Sequence, residues 1–317
     1  MKRLALFAAL FFGASPVVAQ TYPSKPIRVI TANSAGGTSD IFVRALGDEL
    51  QKRLGQPIVV ENRSGGGMNI AGRVCAEAPN DGYNICILPN EVLTLNEFTY
   101  KSIPYNPAKD FEPITNCFIN TQVLVVSSVL NINSLGELAA LSKSKPGTLS
   151  YSVLAIPMQI TFENWKKATG ADIVMVPSRG GNDMVTGLLT GTTPVAIVGL
   201  PNFIPHIRSG AVKALAVDSE ARSPLFPDVP TLNELGLPNL APVYFGFVAP
   251  AGTPKEAIKK LYEEIAAIGN DASFRQKRLI DIGIVPVFDT PEQFGAYLVQ
   301  QRTNGEKLIR ESGFQPR

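Results

Sequence analysis

Ser34-Ala35-Gly36-Gly37-Thr38-Ser39-Asp40 is the stretch whose reading decides the fold. It stands between an apolar run, Ile27–Thr31, that reads as a strand, and an amphipathic helix over Ile41–Leu54. In that helix Phe42, Leu46, Leu50 and Leu54 recur every fourth residue with charges between them. Glycines at such a strand-to-helix turn let the backbone approach a ligand closely. The free N–H groups and the helix dipole favour an anion there. Asp40 would repel that anion, so it reads as a helix cap. No Lys-Ser/Thr pair follows, which excludes a Walker loop, and the G-x-G-x-x-G spacing of a dinucleotide site is missing.

Outward from the turn, strands and helices alternate. Ile58-Val59-Val60 read as a strand, followed by Gly65-Gly66-Gly67 and a helix over about Ile70–Glu77. Pro79-Asn80-Asp81-Gly82 is a turn, and Tyr83–Leu88 a third strand. A second unit repeats the pattern. Its strands are expected at Val123–Ser127, Leu149–Val153, Ile173–Val176, Val195–Val198 and Ala214–Val217. Its helices are expected at Ser134–Ser142 with Ser134 as cap, and at Ile160–Thr169, Asn182–Leu189 and Phe203–Ser209. The alternation predicts parallel sheets covered by helices. Arg222–Pro242 is rich in proline and turn residues. Phe247–Ala249 read as a crossing strand, Pro254 as the start of a helix capped by Thr253, and the rest as helical with a short strand near Val285–Phe288.

Lys2 and Arg3 followed by apolar Leu4–Gly13 and small residues up to Ala19 read as a secretory signal peptide, residues 1–20, cut after Ala19 or Gln20. The apolar run is shorter than the roughly 20 residues a membrane span takes. A mature chain acting outside the cytoplasm meets few nucleotides, which weighs against a nucleotide-dependent enzyme. Its length fits about two domains. With 45% hydrophobic and 18% charged residues the full sequence is that of an ordinary globular chain, and its net charge of +2 counts Lys2 and Arg3, so the processed chain is essentially neutral. No basic block suggests nucleic acid or a membrane surface.

Cys75, Cys86 and Cys117 are too few for a disulfide framework. Buried free thiols are the simpler reading, and one disulfide with one thiol left over is the alternative in an oxidising compartment. No Cys/His spacing suits a metal. The single histidine, His206, has no serine or cysteine motif pointing to it, and Asp48 and Glu49 are a solvated helix face. No catalytic residue, metal or cofactor is therefore expected.

Five stretches, in order, carry a family resemblance. They are Ala35–Asp40; Val60-Glu61-Asn62-Arg63; Pro79–Tyr83; Val176-Pro177-Ser178-Arg179-Gly180-Gly181; and Asp228–Glu234 with Ala249–Pro254. In these the chain resembles the tripartite tricarboxylate transporter receptors, or Bug proteins, which are periplasmic solute-binding proteins. The likeness covers essentially the whole mature chain. It implies an α/β, two-domain, periplasmic-binding-protein-like flytrap with two crossing strands. Domain 1 would comprise residues 21–120 and 247–317, and domain 2 residues 121–246. It also implies a ligand carboxylate held largely by backbone groups and ordered water from two facing loops, a membrane permease as partner, and no covalent chemistry.

The chain departs from that pattern where a ligand would sit. Ala35 replaces a usual proline and Asn33 a usual aromatic, so that an amide stands where relatives place a ring. The second loop, Val153–Thr161, has Ala155, Ile156 and Met158 in place of a Ser/Gly-rich turn, which favours an apolar or aromatic ligand body. No acid ends the strand Val195–Gly199, which weighs against amino-acid ligands. Arg179 stands where relatives carry Lys and reads as a surface residue. Asn90 ends the third strand, where α/β sheets bind ligands, and Tyr244 and Phe245 are expected to wall the cleft. The expected ligand-binding set is Asn33, Ser34, Ala35, Gly36, Gly37, Thr38, Asn90, Ala155, Ile156, Met158, Ser178, Gly199, Tyr244 and Phe245. The expected function is a monomeric periplasmic receptor that passes a small organic carboxylate, aromatic or dicarboxylic, to a permease. The alternative is a ligand sensor that signals to a membrane protein.

Overall fold

The computed structural model describes residues 22–178, 180–237 and 242–316, so the expected signal peptide and Arg179 lie outside the described residues. The chain begins β1 (Ile27–Thr31), α1 (Thr38–Leu54), β2 (Ile58–Asn62), α2 (Asn69–Ala76) and β3 (Asn84–Pro89). A π-helical turn over Glu91–Leu95 runs into α3 (Asn96–Thr99), and the long β4 (Phe111–Asn120) follows. Next come β5 (Gln122–Ser127), α4 (Leu135–Ser144), β6 (Leu149–Val153), α5 (Ile156–Thr169), β7 (Ile173–Met175), α6 (Gly181–Thr190), β8 (Val195–Gly199), α7 (Ile204–Arg208) and β9 (Val212–Val217). The chain closes with β10 (Tyr244–Pro250), α8 (Lys255–Gly269), α9 (Ala272–Arg278), β11 (Ile284–Pro286) and α10 (Pro291–Ser312).

Two sheets result, in strand order β11-β4-β10-β3-β1-β2 and β7-β6-β8-β5-β9. Both are mixed, which corrects the expectation of parallel sheets. β1 is parallel to β2 and β3, whereas β10 runs antiparallel to β3 and β4. In the second sheet β6 is parallel to β7 and β8, and β5 is antiparallel to β8 and β9. The antiparallel strands β5 and β10 lie where the chain crosses between the sheets, while β11, antiparallel to β4, only edges the first sheet. β4 passes into β5 through Thr121 alone, and β10 returns the chain to the first sheet.

Both faces of the first sheet are covered, so β1 is apolar throughout rather than alternating. Val29 packs with Phe42, Leu46 and Leu50 of α1, and Ile30 packs with Ala71, Cys86 and Leu88 on the opposite face. Phe42, Leu46 and Leu50 are at most 1% exposed, and burying each is worth about 1.5–3 kcal/mol. The second sheet is covered likewise, by Tyr151, Phe162 and Trp165 on one side and Met184, Leu188 and Phe203 on the other.

Several local readings are revised. α5 starts at Ile156 rather than Ile160, because Pro157 occupies a first-turn position where a missing N–H costs nothing. Thr253 does not cap α8. Its hydroxyl donates to Pro250 O at 2.7 Å and closes the preceding turn. Cys75 and Cys86 form a disulfide between α2 and β3, leaving Cys117 as a buried thiol. The simpler reading of free thiols is therefore wrong for two of the three.

Candidate functional site

Between the sheets lies a cavity of 390 Å³, continued by a smaller one of 40 Å³ that shares the walls Asn33, Met68, Glu91 and Leu154. The larger volume is in the range of small-molecule sites, about 300–1,000 Å³. Several helices begin at these cavities, and three α-helices among them have both the cap position and the first helical residue in the lining. α1 offers Gly37 and Thr38, α5 offers Ala155 and Ile156, and α6 offers Gly180 and Gly181. None of the three has a side-chain cap. Away from the cleft, α4, α9 and α10 are capped by Ser134, Asp271 and Thr290. A helix start leaves its first N–H groups without helical acceptors and carries a partial positive charge. Three such starts, facing one cavity and lacking caps, turn backbone N–H groups toward it, an arrangement suited to an anion. No lysine or arginine lines either cavity among the described residues.

The first loop is held by its own hydrogen bonds. Gly37 N–H donates to Ser34 O at 3.0 Å, and Gly36 N–H donates to Asp40 Oδ2 at 2.9 Å. Asp40 thus ties the turn back on itself, while the cap position belongs to Gly37. Burial alone would push the Asp40 carboxyl up, but bonds from Arg44, Gly36 and Asn62 outweigh it and hold it below the usual range. Asn33 Oδ1 accepts from Ser39 Oγ at 2.6 Å, which leaves its Nδ2 donor for the cavities it lines.

Of the expected set, Asn33, Gly37, Thr38, Ala155, Ile156, Ser178, Gly199 and Phe245 line the cavities. Ser34, Ala35 and Gly36 stand at the rim, where the two halves touch. Asn182 Nδ2 donates to Ala35 O at 3.1 Å, and a Cβ at Gly36 would lie 3.2 Å from that same nitrogen. Three expected residues are elsewhere. Met158 is 4% exposed and packs in the core, because the helical start at Ile156 turns it away from the opening. Tyr244 is 1% exposed, with its hydroxyl 3.0 Å from Thr94 Oγ1, and belongs to the core beneath the sheet. Adjacent strand residues face opposite sides, so Phe245 meets the cleft and Tyr244 does not. Asn90 is buried without lining either cavity.

Sequence reading missed the Ser64–Met68 wall, Glu91, Asn96, Tyr100, Asn120, Gln122, Gln159 and Asn202. The triple glycine was a signal for the first of these. Gly67 has φ of 62°, and any Cβ there would run into the Tyr100 ring. Glu91 follows the carboxyl end of β3, where α/β sheets place ligands. It begins a π-helical turn, a feature frequent at functional sites. Glu91 is the one charged side chain among the described lining residues, and burial pushes its carboxyl up to about 7.

Two sheets linked by crossing strands, with a backbone-lined cleft between them, define a bilobal binding protein. The family model "Tripartite tricarboxylate transporter family receptor" matches residues 42–314. Protein BugT of Bordetella pertussis is 34% identical over 99% of this chain and 98% of its own length. Among solved structures, an R. palustris protein with adipate superposes with a TM-score of 0.87 at 29% identity, covering 93% of this chain and all of that one. MatC from Rhodopseudomonas palustris with bound malate gives 0.82 at 25% identity, covering 91% and 100%. The chain belongs to the tripartite tricarboxylate transporter receptor family, whose members are periplasmic solute-binding proteins. Among the described residues no helix is long and apolar enough to cross a membrane, and no three His, Cys, Asp or Glu gather as for a metal ion.

Proposed function

We propose that the protein captures a small organic carboxylate in this cleft and delivers it to the membrane permease of a tripartite tricarboxylate-type transporter. The observation that carries the reading is the convergence of three uncapped helix starts, α1, α5 and α6, on one cavity. Adipate and malate in two relatives support a carboxylate. Residues 21–120 and 247–317 act as one lobe and residues 121–246 as the other, closing on the ligand by a hinge at Asn120–Gln122 and Asp218. Gln122 N–H donates to the Asp218 carboxylate there, and Asp218 N–H donates to Gln122 O at 3.0 Å. The carboxylate rests on the first-turn N–H groups. The ligand body lies against Leu154, Ile156, Met175 and Val176, the apolar wall of the second lobe. The protein works as a monomer in the periplasm, and capture and release involve no covalent step.

Thermal unfolding of the mature chain, freed of carried ligand by unfolding and refolding, tests this. The panel holds aliphatic dicarboxylates, aromatic carboxylates, citrate and amino acids. A ligand that binds only the folded state raises the midpoint by mass action. A selective rise with one class of carboxylate is expected. No rise with any of them would overturn the reading. Loss of uptake of that carboxylate by cells lacking the protein is the expected sign of the transport role, and unchanged uptake would refute it.

A further inference from the structure

The cleft is lined for an anion yet holds a buried acid. Glu91 is 4% exposed and shared by both cavities, and its Oε2 has no hydrogen-bond partner. Of the four buried amide oxygens without a partner among the described residues, those of Asn96 and Asn120 line the cavities, and those of Asn90 and Asn116 do not. Asn96 lines the larger cavity, and its Nδ2 is spent on Gly67 O at 2.9 Å and Asn69 Oδ1 at 2.8 Å, which leaves Oδ1 without a donor. Asn120 lines the smaller cavity, and its Oδ1 is likewise unpartnered. A buried acceptor without a donor is costly, and a buried charge without a partner more so. The pattern is therefore one of donors missing from the protein on one side and of N–H groups awaiting an acceptor on the other.

We propose that Glu91 is a selectivity residue, and that the carboxylate captured by this cleft also carries a protonated amine, which pairs with the Glu91 side chain. This rests on the reading that the cleft binds a carboxylate. The ligand's carboxylate takes the helix starts. Its ammonium, with three donors, supplies what Glu91 Oε2 and a neighbouring amide oxygen lack. A plain dicarboxylate has no donor to give and would bring a second negative charge toward Glu91. The absence of an acid at the end of β8 had weighed against amino-acid ligands. The counter-charge is supplied by the other lobe, from the turn after β3.

Calorimetric titration of the refolded protein at pH 7.5 tests the proposal with matched pairs: succinate and aspartate, glutarate and glutamate, adipate and 2-aminoadipate, phenylacetate and phenylalanine. In at least one pair the aminated member is expected to bind tenfold tighter or more. Glu91→Gln, which keeps the shape and removes the charge, is expected to lower that ratio at least tenfold. A wild-type preference for the plain carboxylate in every pair would overturn the proposal while leaving the carboxylate reading intact. If the plain preference also tightened at pH 5.5, a protonated Glu91 donating to a second carboxylate would replace it. An unchanged ratio in Glu91→Gln would also refute it. Should that variant fail to fold, the wild-type ratios decide. No binding by any member of any pair would remove the carboxylate reading itself, and this inference with it.

Discussion

Replacing Glu91 by Gln should make the ligand-free protein less sensitive to alkaline pH, by an amount the burial of the acid sets. Burial moves the carboxyl from 4.5 to about 7. For an acid raised on folding, the native state keeps its proton between those values while the unfolded chain has lost it. Stability is therefore full below pH 4.5 and is lost as pH rises toward 7, at about 1.4 kcal/mol per pH unit. Between pH 5 and pH 8 this amounts to about 2–3 kcal/mol. Tyr244, the titratable neighbour, ionises far above this range. Asp218, a second buried acid pushed up to about 7, is present in both proteins and drops out of the comparison. Urea unfolding of ligand-free wild type and Glu91→Gln at pH 5, 6, 7 and 8 measures the difference. The variant's relative stability should grow by about 2–3 kcal/mol across that span. Parallel pH curves would show that Glu91 is solvated or already paired, and would refute the reasoning.

Other variants probe the remaining parts. Gly36→Val places a β-branched residue at φ of 81° with its Cβ 3.2 Å from Asn182 Nδ2. Ligand affinity should fall at least tenfold while the unfolding midpoint drops by only a few degrees, and retained affinity would exclude the rim from closure. Asn182→Ala removes the 3.1 Å bond to Ala35 O. At about 1 kcal/mol for such a bond, calorimetry should read a loss of roughly fivefold in affinity, with ligand-free stability unchanged. Cys75→Ser opens a disulfide spanning 11 residues, for a loss of about 3 kcal/mol in urea unfolding. Cys117, whose thiol burial pushes well above its usual value, should resist thiol reagents until the protein unfolds.

Local chemistry made much of this protein legible in its sequence. The four-residue spacing of Phe42, Leu46, Leu50 and Leu54 settles α1, because a stripe that must face the core allows no other period. Ser134 with Glu137 three residues on settles the start of α4, because the cap bond is made within one turn. The glycine turn at Ser34–Asp40 pointed to free N–H groups at a helix start, but the cap expected from Asp40 is not made, and Gly37 takes that position. Five short motifs in order carried the family, since each depends on the backbone of its own loop.

What failed to show were properties that depend on which surfaces meet. Tyr244 and Phe245 are equivalent in sequence, and only the pleat of β10 between β3 and β4 sends one to the core and the other to the cleft. Met158 has the composition of a ligand wall, yet the start of α5 at Ile156 turns it inward. The pairing of Cys75 with Cys86 required α2 to lie against β3. Glu91 reads as one more acid in a chain with 27 of them. Its meaning arises only once the fold buries it, because enclosure removes the water that would otherwise satisfy a carboxylate. Thus the sequence by itself determined the elements, the first loop and the family, all set by neighbours within a turn or a strand. The tertiary structure alone decided the composition of the cleft, because it is built from segments more than a hundred residues apart whose contacts no local pattern encodes.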